Sequence, residues 1–154
     1  LSQVPFQTKV TEANRVLGKY WSFWMQQLRT RLNLCPERVG LTSLTAQVAA
    51  ISATAVRTSK LHTGLYRVSY YARITTAATT SSSLTLTLGW TDRAVVVSHA
   101  GAAMTGNTTA TTQSGTLFLQ VDSASAITYT VAYVSSGATG MQYALDIMVE
   151  EIRP

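Results

Sequence analysis

Apolar and polar residues alternate with a period of two along most of the chain after residue 60. Tyr66, Val68, Tyr70, Ala72 and Ile74 share one parity, and Leu84, Leu86, Leu88 and Trp90 share another. Successive side chains of a strand point to opposite faces, so each run predicts a half-buried β-strand. The small polar segment TTAATTSSS between them suits an exposed connection. The alternation returns at Leu117, Leu119 and Val121, at Ile127, Tyr129, Val131 and Tyr133, and at Tyr143, Leu145, Ile147 and Val149. Shorter strands are expected at 44–48, 51–57 and 94–99, with a tight turn at Thr91-Asp92-Arg93 and a surface loop over 100–114. Asp122-Ser123-Ala124-Ser125 and Ser135-Ser136-Gly137-Ala138 read as turns. About eight short strands with regular turn signals predict a mainly β fold, an antiparallel β-sandwich that is jelly-roll-like, rather than βαβ units. No repeat recurs at a fixed period, which argues against propellers and solenoids.

Before residue 40 the period changes. Residues 1 to 9 read as an extended arm, and Thr11 with Glu12 behind it is a good helix start. Leu17, Trp21, Trp24 and Leu28 follow at +4, +3 and +4, joined by Val10, Ala13, Tyr20 and Leu32, which is one apolar stripe on a helix. Pro36 ends it, because the residue before proline disfavours the α region. The predicted organisation is therefore an N-terminal arm with an amphipathic aromatic α-helix over 1–40, and a β-sandwich domain over 41–154. Tyr20, Trp21, Phe23 and Trp24 are more aromatic surface than one helix needs to cover a sheet. Aromatic side chains dominate interface hot spots. Leu17, Tyr20, Trp21, Phe23, Trp24 and Leu28 are accordingly the candidate anchoring or oligomer-interface residues. Docking on a partner, bundling with copies as a short coiled coil, and packing on its own β-domain all fit this stripe. A membrane-surface helix fits worse, because Glu12 and many uncharged polar positions dilute the basic face.

Composition sharpens the picture on the other side of the strands. Thr85, Thr87, Thr116, Phe118, Thr128, Thr130, Ala132, Val134, Ala144 and Met148 take the outward parity, and none is charged. Charged residues make up only 12% of the chain, against a usual ~25%. A lone monomer normally covers its exterior with charge. We therefore expect neighbouring subunits to cover one sheet face, with Thr128, Thr130, Ala132, Ala144 and Met148 in contact and closed cyclic symmetry the usual arrangement. The net charge of +5 is uneven. Through Arg73 there are ten Lys or Arg against Glu12 and Glu37, a net +8; the remainder has two Arg against five acids, a net −3. Such a split can mark an acidic partner, but the basic residues do not cluster as a nucleic-acid patch does, so no nucleic acid is expected.

Candidate chemistry is sparse. Ser98, His99 and Asp92 could form a triad only on paper, without a nucleophile elbow or oxyanion glycines around them. Nothing marks a matched pair of carboxylates across a cleft. His62, His99 and scattered Asp lack metal-ligand spacing, and Gly101, Gly106 and Gly115 are too dispersed for a phosphate loop. Asn107-Thr108-Thr109 fits a glycosylation pattern that matters only in a eukaryotic secretory setting. Cys35 is single, so no intrachain disulfide exists. No apolar run approaches the ~20 residues of a spanning helix, and the N-terminus lacks a signal-peptide layout. The chain begins at Leu1, which fits a processed product or a portion of something longer. No enzymatic activity, cofactor or metal is expected.

The stretch GLYRVSYYARITTAATTSSSLTLTLGWTD, then AAMTGNTTATTQSG, then MQYALDIMVEE resembles small structural proteins encoded among tailed-bacteriophage virion genes. The helix with Trp21-Ser22-Phe23-Trp24 and Gln27-Leu28 is similar to short aromatic segments near the start of such proteins. The resemblance implies a virion component, a trimeric jelly-roll-like fibre, decoration or adaptor subunit, with other virion proteins as partners and no enzymatic activity. The alternative is a host receptor-binding module at a tail or fibre tip, with 100–114 and 135–140 as the host-facing rim, since loops on a rigid sandwich commonly carry recognition.

Overall fold

A computed structural model describes residues 18–28, 36–56 and 61–152. The chain divides into two units, one of Leu1–Cys35 with Pro154 and one of Pro36–Arg153. In the first, residues 18–28 form helix α1. In the second lie β1 (Glu37–Gln47), β2 (Ile51–Ala55), β3 (Gly64–Thr76), β4 (Ser81–Asp92), β5 (Val95–Ala100), β6 (Thr112–Val121), β7 (Thr128–Ser136) and β8 (Gln142–Ile152). They build two four-stranded antiparallel sheets, sheet I in the order β1-β8-β3-β6 and sheet II in the order β2-β7-β4-β5.

The order is that of one long hairpin, rolled up. β4 pairs with β5, β3 with β6, β2 with β7 and β1 with β8, so the chain doubles back about the β4–β5 turn. Rolling the ribbon brings β3 beside β8 and β4 beside β7. Eight strands in two sheets with this connectivity are a jelly roll. β1 starts at Glu37, well before the alternation at Leu44 becomes readable. Register shifts between Arg38 and Gly40 and between Leu44 and Gln47 break its parity.

The core is the layer between the sheets. Tyr66, Val68, Ala72 and Ile74 of β3, Leu84, Leu86 and Leu88 of β4, and Tyr143, Leu145, Ile147 and Val149 of β8 are buried, as the alternation requires. Each such side chain stabilises the fold by roughly 1.5–3 kcal/mol relative to exposure. No polar or charged residue is buried among the described residues. Tyrosines close the layer by placing their rings inside and their hydroxyls on loop backbone, as a buried phenol requires. Tyr66 donates to the carbonyl of His62 (2.8 Å), Tyr133 to that of Met141 (2.6 Å) and Tyr143 to that of Ala49 (2.9 Å).

The β4–β5 turn is tighter than the sequence suggested. Arg93 and Ala94 alone form it, with φ of 48° and 63°. Both central residues of a type I′ turn need positive φ, which suits Gly or Asn. The strain is offset by Asp122, whose carboxylate accepts the N–H of Arg93 (3.0 Å) and of Ala94 (2.6 Å). Asp122 is thus a clamp on the turn from across the molecule.

The segment after β5 is not a plain surface loop. Gly101 donates its N–H to Leu86, and Met104 pairs with Leu84, so the chain keeps following β4. Met104 and Gly106 are buried. A Cβ on Gly106 would lie 1.8 Å from Met141 Sδ, which only glycine avoids. Asn107 then ties the segment down, donating to the carbonyls of Ala78 (3.3 Å) and Thr80 (2.9 Å) and accepting from Ser82 (3.0 Å).

Three outcomes are expected from this geometry. Asp122→Ala should lower stability by about 2 kcal/mol, since charge-assisted hydrogen bonds to two backbone amides are lost. Ala94→Gly should raise it by about 1 kcal/mol by removing a side chain from the left-handed region; urea unfolding midpoints measure both. Burial, then the neighbouring Tyr129 and Tyr133 charges, push the Tyr143 phenol up to about 12 from its ordinary value of 10.0. The unfolded chain therefore releases this proton first. The stability it contributes is whole below pH 10 and lost as pH rises toward 12. Tyrosinate absorbance during an alkaline titration should show Tyr143 ionising together with unfolding, and Tyr143→Phe should remove that contribution.

Candidate interaction surfaces

Helix α1 carries its aromatic residues in solvent. Tyr20, Trp21, Phe23 and Trp24 are 70%, 66%, 61% and 53% exposed, and Leu28 is exposed as well. Trp21 and Trp24, one turn apart, rest against each other with ring centroids 5.3 Å apart and planes tilted by 31°. Ser22 Oγ donates to the carbonyl of Gly18 at 2.5 Å, a local bond that adds no outward contact. Leu17, the first residue of the stripe, lies outside the described residues. Most helical stability in proteins comes from packing an amphipathic face, and on α1 that face is bare.

The residues expected to form one subunit-contact face do not share a face. Thr128, Thr130 and Ala132 stand on β7, paired with Gly89, Thr87 and Thr85, on the outside of sheet II. Ala144 and Met148 stand on β8, paired with Arg73 and Ser69, on the outside of sheet I. The two sets lie on opposite sides of the sandwich. Strand parity fixes which side of its own sheet a residue takes, but not which sheet the strand joins.

The two outer faces differ in kind. Sheet I carries Arg38, Arg67 and Arg73 with Asp146 and Glu150, and Arg38 and Arg67 are both in register with Glu150. Arg67 binds Glu150 through Nε at 2.7 Å and through Nη2 at 2.6 Å, a two-pronged contact on one oxygen. Ser43 Oγ donates to Asp146 at 2.6 Å. Arg67, from the basic first half of the chain, thus finds an acidic partner from the second half inside its own subunit. Between these ions sit Leu41, Tyr71 and Phe118, all exposed; the outward parity of Phe118 is read from the sequence, whereas Leu41 precedes any readable alternation. On sheet II the outward positions are Ser83, Thr85, Thr87, Gly89, Thr128, Thr130, Ala132, Val134, Val96, Ser98 and Ala100. None is charged.

The strands keep Ser98, His99 and Asp92 apart. Asp92 pairs with Val95 beside the turn, whereas His99 pairs with Leu88, roughly 13 Å further along at ~3.3 Å per residue. Ser98 and His99 also point to opposite faces. Among the described residues, no group of three or more His, Cys, Asp or Glu could hold a metal ion. Among those residues, too, no helix is long and apolar enough to cross a membrane.

The loops named as a rim converge at one end of the sandwich. Ala78 donates its N–H to Gly106, and Thr79 exchanges bonds with Thr139 through its N–H and its Oγ1. Residues 77–80 thereby join the 101–111 and 137–140 segments.

No protein-family model matches the chain, and no curated protein does. Among solved structures the chain is similar to one in a structure of infectious bursal disease virus, Gt strain, with a TM-score of 0.40 and 12% identity. That match covers 78% of this chain and 38% of the viral one, so this chain spans well under half of its length. It is also similar to Eiger TNF from S. frugiperda, with a TM-score of 0.30 and 14% identity, covering 75% of this chain and 88% of that one.

Proposed function

We propose that this chain is a non-enzymatic structural subunit of a virion, of the tailed-phage kind, which assembles as a trimer and attaches through its N-terminal helix as a fibre, decoration or adaptor protein. The observation that carries this reading is the outer face of sheet II, which presents Thr, Ser, Ala, Val and Gly and no charge. Such a face resists neither dehydration nor close approach, since no ion has to be stripped of water. It is a surface to be covered by copies of the same subunit, and closed symmetry covers it without leaving an open end. Helix α1 supports the attachment half of the reading. Exposed Trp and Tyr clusters are the residues that dominate interface energetics, and the resemblance of Gly64 to Glu150 to phage virion proteins supplies the setting. A host receptor-binding role is the second reading, favoured by the convergence of 77–80, 101–111 and 137–140 at one end.

Light scattering on the full chain should give a multiple of three copies of its 16.6 kDa mass. Thr87 and Thr130 pair directly on the bare face. Replacing both by Glu should therefore divide the number of chains by three while the circular dichroism of the sandwich stays unchanged. A single soluble chain at high concentration would sink this reading. Trp24→Ala should leave the sandwich folded and release the subunit from virions; normal incorporation argues against the helical anchor, and host-cell binding by the same variant would favour the receptor reading.

A further inference from the structure

Strand β5 (VVVSHA) is the least protected element of the sandwich. It pairs with β4 along one edge only, in six consecutive pairs without a bulge. Val95 is 61% and Val96 84% exposed, and only Val97 of its six residues is partly covered. Both of its faces and its free edge therefore meet solvent, and it contains no charge. Natural edges are blunted by charges, bulges or coverage, because unpaired N–H and C=O groups template another strand. Two of the other edges are protected in these ways, and the third over its first residues. β1 has Glu37 and Arg38 and two register shifts, and β2 is broken between Ile51 and Thr54. β6 keeps one face in the core through Leu119 and Val121, and its first residues are crossed by the segment after β5, where Gln113 Nε2 donates to the carbonyl of Ala102 at 2.9 Å.

The backbone phase of β5 specifies what fits. Gly101 bonds toward β4, and backbone groups alternate between the two sides of an antiparallel strand. Val95, Val97 and His99 therefore bond inward, while Val96, Ser98 and Ala100 hold out their N–H and C=O groups. We propose that this edge is completed by β5 of a second copy, antiparallel about a two-fold axis through Ser98. In that register Val96 lies opposite Ala100 of the other copy. The charges nearest in sequence, Asp92 at the end of β4 and Arg93 in the turn, stand outside the β5 edge, so no like charges meet along it, as a stable cross-strand pairing requires. The pairing fuses two copies of sheet II into one eight-stranded sheet and makes their uncharged outer faces continuous. It adds a two-fold contact to the three-fold assembly proposed above and is independent of it.

The test is cross-linking of the full chain. Directly opposed residues in a hydrogen-bonded antiparallel pair have Cα atoms ~5.5 Å apart, within disulfide reach. With the native thiol removed by Cys35→Ser, Ser98→Cys should convert to a covalent two-chain species under mild oxidation, whereas Thr109→Cys on the exposed rim should not. Ser98→Pro removes one outward N–H and no bond to β4, so the fold is retained; it should halve the number of chains seen by light scattering, as should Val96→Lys. Failure of Ser98→Cys to cross-link overturns the two-fold pairing, as does an unchanged mass for both other variants. An edge occupied by a strand of another protein would show itself in the same way, as purified chains that do not cross-link. A loss of two-fold but not three-fold multiplicity leaves the trimer reading intact, and the reverse leaves this one.

Discussion

The dry layer between the two sheets is the constraint from which the rest of the structure follows. It contains no polar residue among the described ones, so every polar backbone group in it must be satisfied within the strand ladders. That requirement fixes antiparallel pairing along the whole ribbon, and the ribbon can close on itself only by rolling. Where the layer ends, the phenols of Tyr66, Tyr133 and Tyr143 exchange an apolar ring for a hydroxyl that reaches a loop carbonyl. The loops are held by such specific contacts together with their own buried residues, among them Leu61, Ala78, Met104, Ile127 and Met141. Asp122 does the equivalent work at the β4–β5 turn, holding two left-handed residues by their amides.

Most ionic character lies on the outside, but not evenly. β1, β3 and β8 bring the arginines and carboxylates together on sheet I, where Arg67 and Glu150 neutralise one another. Sheet II receives the Thr- and Ser-rich strands β4 and β7 and has nothing to repel a neighbour. Partly exposed ion pairs contribute little to stability, so the asymmetry matters less for folding than for which side can be buried against another protein. The uncharged face of sheet II, the open β5 edge and the exposed aromatic residues of α1 are surfaces from which no ion has to be stripped of water on covering.

Much of this was legible in the residues alone. The parity of Tyr66 to Ile74, Leu84 to Trp90 and Tyr143 to Val149 named the buried side chains and the eight-stranded sandwich, because a two-residue period has a single meaning when one face is dry. The 3.6-residue stripe of Trp21, Trp24 and Leu28 named the helix face for the same kind of reason. β1 was legible only in part, since bulges reset parity and erase the signal. The left-handed turn at Arg93 and Ala94 was misplaced, because neither residue is a turn former and its support comes from Asp122, far along the chain.

What the sequence could not contain was which strands lie side by side. Thr128 and Ala144 have the same local signature, a small residue facing outward, yet stand on opposite sides of the molecule because β7 and β8 belong to different sheets. Within the charge imbalance between the two halves, the pairing of β3 with β8 sets Arg67 of the basic half on Glu150 of the acidic half. The exposure of both faces of β5 is likewise set by β6 packing beneath β4. Periodicity is a property of one strand and is decided by neighbouring residues. Sheet membership is decided by pairing between segments many residues apart, and only the folded chain brings those together.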